Sequence, residues 1–114
     1  MSTLSSESCN ASRPGDAALH GKELQALQAQ LDGAWRVVEE HHLEREYAFP
    51  DFASALAFTN AVGAVAEAEN HHPDIFLAWG KVRITIWTHT LGGISRSDFI
   101  LAAKIDTLEP AVGA

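Results

Sequence analysis

Cysteine is nearly absent: Cys9 stands alone among 114 residues, so neither an internal disulfide nor a thiolate metal cage can form within the chain. That excludes a disulfide-stapled secreted scaffold and fits a reducing compartment. Basic residues are also scarce. Against 15 Asp and Glu there are 8 Lys and Arg, and the net charge of -7 repels phosphate backbones and argues against nucleic acid as a partner. No apolar run approaches the roughly 20 residues that span a bilayer. Met1 to Asp16 carries a single Arg and no apolar stretch of the secretory kind. A soluble cytoplasmic protein with no membrane partner is therefore expected.

The rest is ordinary globular composition, 46% apolar and 20% charged. The length suits one domain, whose core hides roughly 60–70% of the surface of the unfolded chain. Residues 1–20, rich in Ser and Ala and broken by Pro14-Gly15, are expected to form a flexible N-terminal tail. Residues 21–110 are read as the folded domain and 111–114 as a C-terminal tail.

Within the domain, Leu24, Leu27, Gln28 and Leu31 recur at helical spacing until Asp32-Gly33 stops the helix. Trp35, Val37 and Val38 open a strand, and Leu43, Arg45, Tyr47 and Phe49 alternate with polar or small residues in an antiparallel neighbour, with a turn near His41-His42. Pro50-Asp51 starts a second helix, capped by Asp51, whose inward face is predicted as Phe52, Ala55, Leu56, Thr59, Val62, Gly63 and Ala66. Pro73 to Trp79 reads as a third strand, Gly80-Lys81 as a tight turn and Val82 to His89 as a fourth strand. Alternation in that last strand places Val82, Ile84, Ile86 and Thr88 on one face and Arg83, Thr85, Trp87 and His89 on the other. Gly92-Gly93 breaks it, Ser95 through Asp98 has the form of a capping box, and Phe99 to Leu108 continues as a helix. The order α-β-β-α-β-β-α predicts an α+β fold, a four-stranded antiparallel sheet with helices packed on one face.

Three of the six histidines fall between Glu67 and Asp98, as His71, His72 and His89. Neighbours on an extended chain point to opposite faces, so His71 and His72 can share a pocket only where the backbone is irregular, as Asn70 and Pro73 permit. Three imidazoles are also potential zinc ligands, yet their spacing is not that of a helical His-Glu-x-x-His site, and no compact ligand set emerges. Glu67 and Glu69 lie in the last turn of the second helix, where the macrodipole disfavours negative charge by ~0.3–1 kcal/mol each. Such a carboxylate is explained either by solvation or by a histidine or ligand beside it. Asp98 has a sufficient structural reason in the capping box, and Trp35, Trp79 and Trp87 are expected in the core on size alone.

Glu67, His71-His72-Pro73, Trp79, His89 and Asp98 together resemble the signature of the pterin-4a-carbinolamine dehydratases, which include the dimerisation cofactors of a homeodomain transcription factor in animals. The likeness runs from about Leu24 to Leu108, and the stretch Thr88-His89, Gly92-Gly93-Ile94-Ser95 and Asp98 to Asp106 is similar to the bacterial branch. Asn70 stands where animal members carry Asp, and Ile75 where they carry Trp. The first removes a possible carboxylate partner for an imidazole, the second an aromatic wall.

The resemblance implies removal of water from a 4a-hydroxytetrahydropterin by histidine acid–base catalysis, in a homo-oligomer (dimer or tetramer), with no metal and no organic cofactor. His71 and His89 would transfer protons, His72 would orient the pterin and Glu67 would stabilise an imidazolium. Asn70, Asp98, Trp35 and Trp79 would complete the pocket that binds the substrate. Imidazole suits the task because its ordinary pKa of about 6.5 supplies both donor and acceptor forms near neutral pH. The rival reading is a binding module that has given up catalysis, such as a RuBisCO assembly factor of carboxysomes or a transcriptional cofactor, since fold by itself does not determine role.

Overall fold

In the computed structural model, residues 4–9, 17–31 and 33–108 are described. Asp32, Pro14-Gly15 and the expected C-terminal tail at 111–114 lie outside them, as do 109 and 110 at the end of the expected domain. The elements in chain order are α1 (Gly21–Gln28), β1 (Arg36–Val38), β2 (His42–Ala48), α2 (Phe52–Glu69), β3 (Asp74–Ala78), β4 (Lys81–Ile86) and α3 (Arg96–Asp106), the predicted α+β sequence. One four-stranded antiparallel sheet has the order β1-β2-β4-β3. The strand alternation buries Leu43, Tyr47, Val82, Ile84 and Ile86 on the face that the helices cover.

The β3–β4 hairpin turns at Trp79-Gly80, one residue earlier than the expected Gly80-Lys81, because Lys81 already pairs with Ala78 and Ala48. Gly80 is required there, since a Cβ would lie 2.9 Å from the carbonyl oxygen of Phe49. β4 stops at Ile86 rather than reaching His89. Among the described residues its pairing ends with Leu43 on β2 and Asp74 on β3, and Thr88 instead bridges to Gly93. His89–Leu91 consequently forms a 3-10 turn closed by Gly92 at a left-handed φ of 63°.

Helix α2 starts as predicted, with Asp51 Oδ1 accepting the Ser54 N–H at 2.8 Å. Its inward face differs from the expected one: Ala55, Phe58, Val62 and Ala66 are buried, whereas Phe52 and Leu56 are exposed. The helix is apolar nearly all round, so periodicity could not choose the face, and Phe58 won it by stacking on Tyr47 and Phe49. α3 is the central helix, with every residue from Ser97 to Ala103 buried.

The expected N-terminal tail needs a correction at residues 4–9. Leu4 is fully buried in the core cluster, and the segment runs along α3: the Ser5 carbonyl accepts Lys104 Nζ at 2.9 Å, and Glu7 receives two hydrogen bonds from Arg96. Cys9 donates its N–H to Glu69 at 2.9 Å, and its Sγ lies 3.4 Å from the Ser97 carbonyl. A single Leu in a Ser-rich stretch gives no periodic signal, so its burial was not readable from pattern.

Candidate functional site

The end of α2 decides where the histidine pair goes. Asn70 adopts a left-handed φ of 52°, its N–H donates to the Glu67 carbonyl at 3.3 Å, and His71 N–H donates to the Ala66 carbonyl at 3.2 Å. This is a Schellman-type ending with Asn where Gly is commoner, and Asn tolerates the conformation through its short polar side chain. The chain therefore leaves the helix bent, and consecutive imidazoles diverge to different partners. His71 Nε2 meets Asp98 Oδ1 at 2.5 Å, while His72 Nε2 turns back to Glu67 Oε2.

Asp98 is wholly buried at the start of α3. Its Oδ2 accepts the Ser95 N–H at 2.7 Å and the Thr88 hydroxyl at 2.8 Å, completing the predicted capping box and leaving Oδ1 to His71. The helix N-terminus favours this carboxylate. With Oδ1 accepting, His71 carries its proton on Nε2, and Nδ1 makes no hydrogen bond among the described residues. His72 and Glu67 form a half-exposed pair, 53% and 78% accessible, so solvent screens it strongly.

The two glutamates at the unfavourable end of α2 are both explained by neighbours. Glu67 has His72. Glu69 accepts the Cys9 N–H and lies 3.5 Å from Lys104 Nζ, and these contacts, the first above all, hold its carboxyl below the ordinary value. Burial, followed by the Glu69 charge, pushes the Cys9 thiol up to about 12, so Cys9 is no nucleophile at neutral pH.

A cleft of about 420 Å³ opens between the α2–β3 connection and the end of β4, lined by Asn70, His71, His72, Trp87, Thr88, His89 and Thr90. That is the size of a small-molecule site. The structure thus brings together His71, His72, His89 and Asn70, with Asp98 beneath His71 and Glu67 beside His72. Trp35 and Trp79, expected as pocket walls, lie elsewhere. Trp35 is buried near the other end of α3, its indole N–H shared between both Asp106 oxygens at 2.8 and 2.9 Å. Trp79 sits in the β3–β4 turn, 67% exposed, because a two-residue hairpin leaves no core for its ring to enter.

The aromatic ring in the lining of the cleft is Trp87 instead, beside His89. Its strand alternation with His89 was the available signal, and it was masked by the general tendency of tryptophan to be core. Thr88 and Thr90 carried no signal apart from adjacency to His89. Among the described residues, no group of three His, Cys, Asp or Glu side chains is arranged to hold a metal ion. No helix among them is long and apolar enough to cross a membrane.

An α+β domain with an open cleft of three imidazoles, two of them anchored by carboxylates, is a scaffold equipped to move protons to and from a small ligand. Comparison with known proteins narrows this class: residues 17–108 match the family model described as Pterin 4 alpha carbinolamine dehydratase, and the chain belongs to that family. A protein of Rubrobacter xylanophilus named "Putative pterin-4-alpha-carbinolamine dehydratase" is 48% identical, over 95% of this chain and 100% of its own length. One of the same name from Alkaliphilus metalliredigens is 45% identical, over 93% and 96%. Among solved structures, a transcriptional coactivator/pterin dehydratase from Brucella melitensis superposes with a TM-score of 0.73 at 30% identity, covering 79% of this chain and 96% of that one. A pterin dehydratase-like protein described as a RuBisCO assembly factor in the alpha-carboxysome gives a TM-score of 0.56 at 30% identity, over 66% and 88%.

Proposed function

We propose that this protein dehydrates a 4a-hydroxytetrahydropterin to the quinonoid dihydropterin, with its own imidazoles as acid and base. The observation that carries the reading is the cleft itself: the adjacent His71 and His72, from the α2–β3 connection, and His89, from the turn after β4, line one concavity. Hydroxide is a poor leaving group, so the departing oxygen must receive a proton as its bond to carbon breaks. The neighbouring ring nitrogen supplies the electron pair that forms the C=N bond and gives up its own proton to a base, so one water leaves. General acid–base assistance of this kind contributes roughly 100- to 10,000-fold.

His71 and His89 are the proton-transfer residues in this reading. His71 exchanges through Nδ1 while Asp98 fixes its tautomer, and His89 works from the 3-10 turn across the cleft. His72 orients the pterin, Glu67 holds His72 through Nε2, and Asn70 borders the ligand. In this reading the reaction requires neither metal nor organic cofactor, and we place the protein in the cytoplasm. A homo-oligomer, dimer or tetramer, is supported by the exposed apolar side chains Phe52 and Leu56 on a helix apolar nearly all round.

A dehydration assay on a freshly generated carbinolamine tests the assignment. His71→Ala and His89→Ala should each lower turnover by more than about tenfold with circular dichroism unchanged, and His72→Ala should act mainly on KM. Full activity in the first two variants rejects the proton-transfer roles. A wild-type protein that gives no acceleration favours an assembly or partner-binding role, the one described for the alpha-carboxysome neighbour.

A further inference from the structure

The cleft imidazoles are held by different means. His71 and His72 are each tied to a carboxylate through Nε2, whereas the His89 ring makes no hydrogen bond among the described residues. What it has is the Trp87 indole, with ring centroids 4.0 Å apart and planes inclined by 39°. His89 is exposed on a 3-10 turn, where an imidazole with nothing beside it would sample several rotamers. Trp87 is itself backed. The His41 ring from the β1–β2 turn lies 4.4 Å from it, and His41 Nδ1 is 3.1 Å from His42 Nδ1, so one imidazole donates to the other and the pair is fixed as a unit. In that turn Glu39 and Glu40 are both left-handed, at φ 54° and 53°, and the His41 N–H closes on the Val38 carbonyl at 2.9 Å.

We propose that Trp87, backed by His41, is the positioning residue for His89. It takes the place that a carboxylate takes for His71 and His72. The inference rests on the dehydratase reading and deepens it by saying how the third imidazole is aimed. Proton transfer tolerates misplacement of the donor by only a fraction of an ångström, so an exposed histidine without an anchor would spend most of its time out of reach. An aromatic face restricts the ring without consuming either nitrogen. Both His89 nitrogens then stay available to ligand and solvent, whereas His71 has only Nδ1 to offer.

The test compares Trp87→Leu, which keeps apolar bulk but loses the aromatic face, with Trp87→Phe, which keeps a face. Each is made in the full chain and also combined with His89→Ala. Expected are a loss of about tenfold in kcat for the Leu variant at little-changed KM, substantial rescue by Phe, and no further loss when Trp87→Leu is added to His89→Ala. A rise in KM at unchanged kcat would mean that the indole contacts the ligand rather than aiming His89, and additive losses would likewise overturn the inference. Carbon-bound ring protons of His89 give a readout that needs no turnover. In the native protein they should carry an upfield ring-current shift that Trp87→Leu abolishes, and its absence in the native protein sinks the proposal. Wild-type protein inactive as a dehydratase but showing the shift would remove the functional reading and the catalytic half of the inference together, while leaving the Trp87–His89 contact established.

Discussion

Helix α3 carries a buried or near-buried carboxylate at each end, and the two are used in opposite ways. Asp98, in the first turn, takes a backbone N–H, a threonine hydroxyl and the imidazole of His71, which opens into the cleft. Asp106, in the last turn, takes the Trp35 indole N–H, the Arg45 guanidinium at 2.9 Å and the Tyr47 hydroxyl at 3.1 Å, and the described cleft does not reach it. The helix dipole favours the first carboxylate and opposes the second, so Asp106 needs a strong cation and Arg45 provides one. A carboxylate whose partners never change charge ties strands to a helix. One whose partner is an imidazole at a cleft can pass a change in protonation to a ligand. The distinction lies in the partners and in access to solvent, for the residue type is the same.

The largest effect should come from the structural end. Asp106→Ala takes from the nearly buried Arg45 guanidinium the carboxylate it meets at 2.9 Å and should cost about 3 kcal/mol, read as a lower denaturation midpoint in urea with an unchanged slope. Turnover by the protein that remains folded should stay near wild type, and a selective loss of activity would break the contrast between the two ends.

Next, Asp98→Asn keeps the shape but places an amide where two donors and an imidazole converge. Turnover should fall at least about tenfold, with a loss of stability of roughly 1 kcal/mol from the weakened cap. Should only the stability change, Asp98 is architectural like Asp106.

The smallest effects concern the N-terminal segment that spans α3 between its two ends. The folded-state pKa of Glu69 is depressed, chiefly by the Cys9 N–H, so this contact stabilises fully above the ordinary value of 4.5 and is lost as pH falls through the lower folded value. Amide exchange of residues 4–9, corrected for its intrinsic pH dependence, should therefore lose protection in acid. Glu69→Gln should weaken that pH dependence and leave the part contributed by Glu7, whose carboxyl the Arg96 hydrogen bonds also hold below the ordinary value; if the variant behaves like wild type, the Glu69 ion is not what holds the segment. At pH 8 the Cys9 thiol, pushed up to about 12, should alkylate much more slowly than free cysteine. Reaction at the free-thiol rate would show the segment undocked in solution.

How much of this was readable in advance depended on whether the signal was local. The Asp51 cap, the Ser95–Asp98 box and the strand alternation of β2 and β4 are interactions between residues a few positions apart, and they appear where expected. Glu67 beside His72 is also local, five positions apart across one helix end, but the sequence left it open between solvent and a neighbouring histidine or ligand. The inward face of α2 was misread because a helix apolar on all sides has no preferred face until a partner such as Tyr47 selects one. The aromatic wall was misassigned for a related reason. Trp35, Trp79 and Trp87 look alike in a string of letters, and their fates diverge through Asp106, a hairpin tip and a pair of imidazoles.

The amino-acid string alone determined the element order, both helix starts at α2 and α3, the acidic balance and the set of histidines available for chemistry, because each follows from period, capping or composition. Tertiary structure alone decided that β4 ends before His89, that Leu4 enters the core and that His71 finds Asp98 from 27 positions away. Those outcomes turn on which surfaces meet after collapse, and packing of distant segments leaves no periodic trace in the chain that undergoes it.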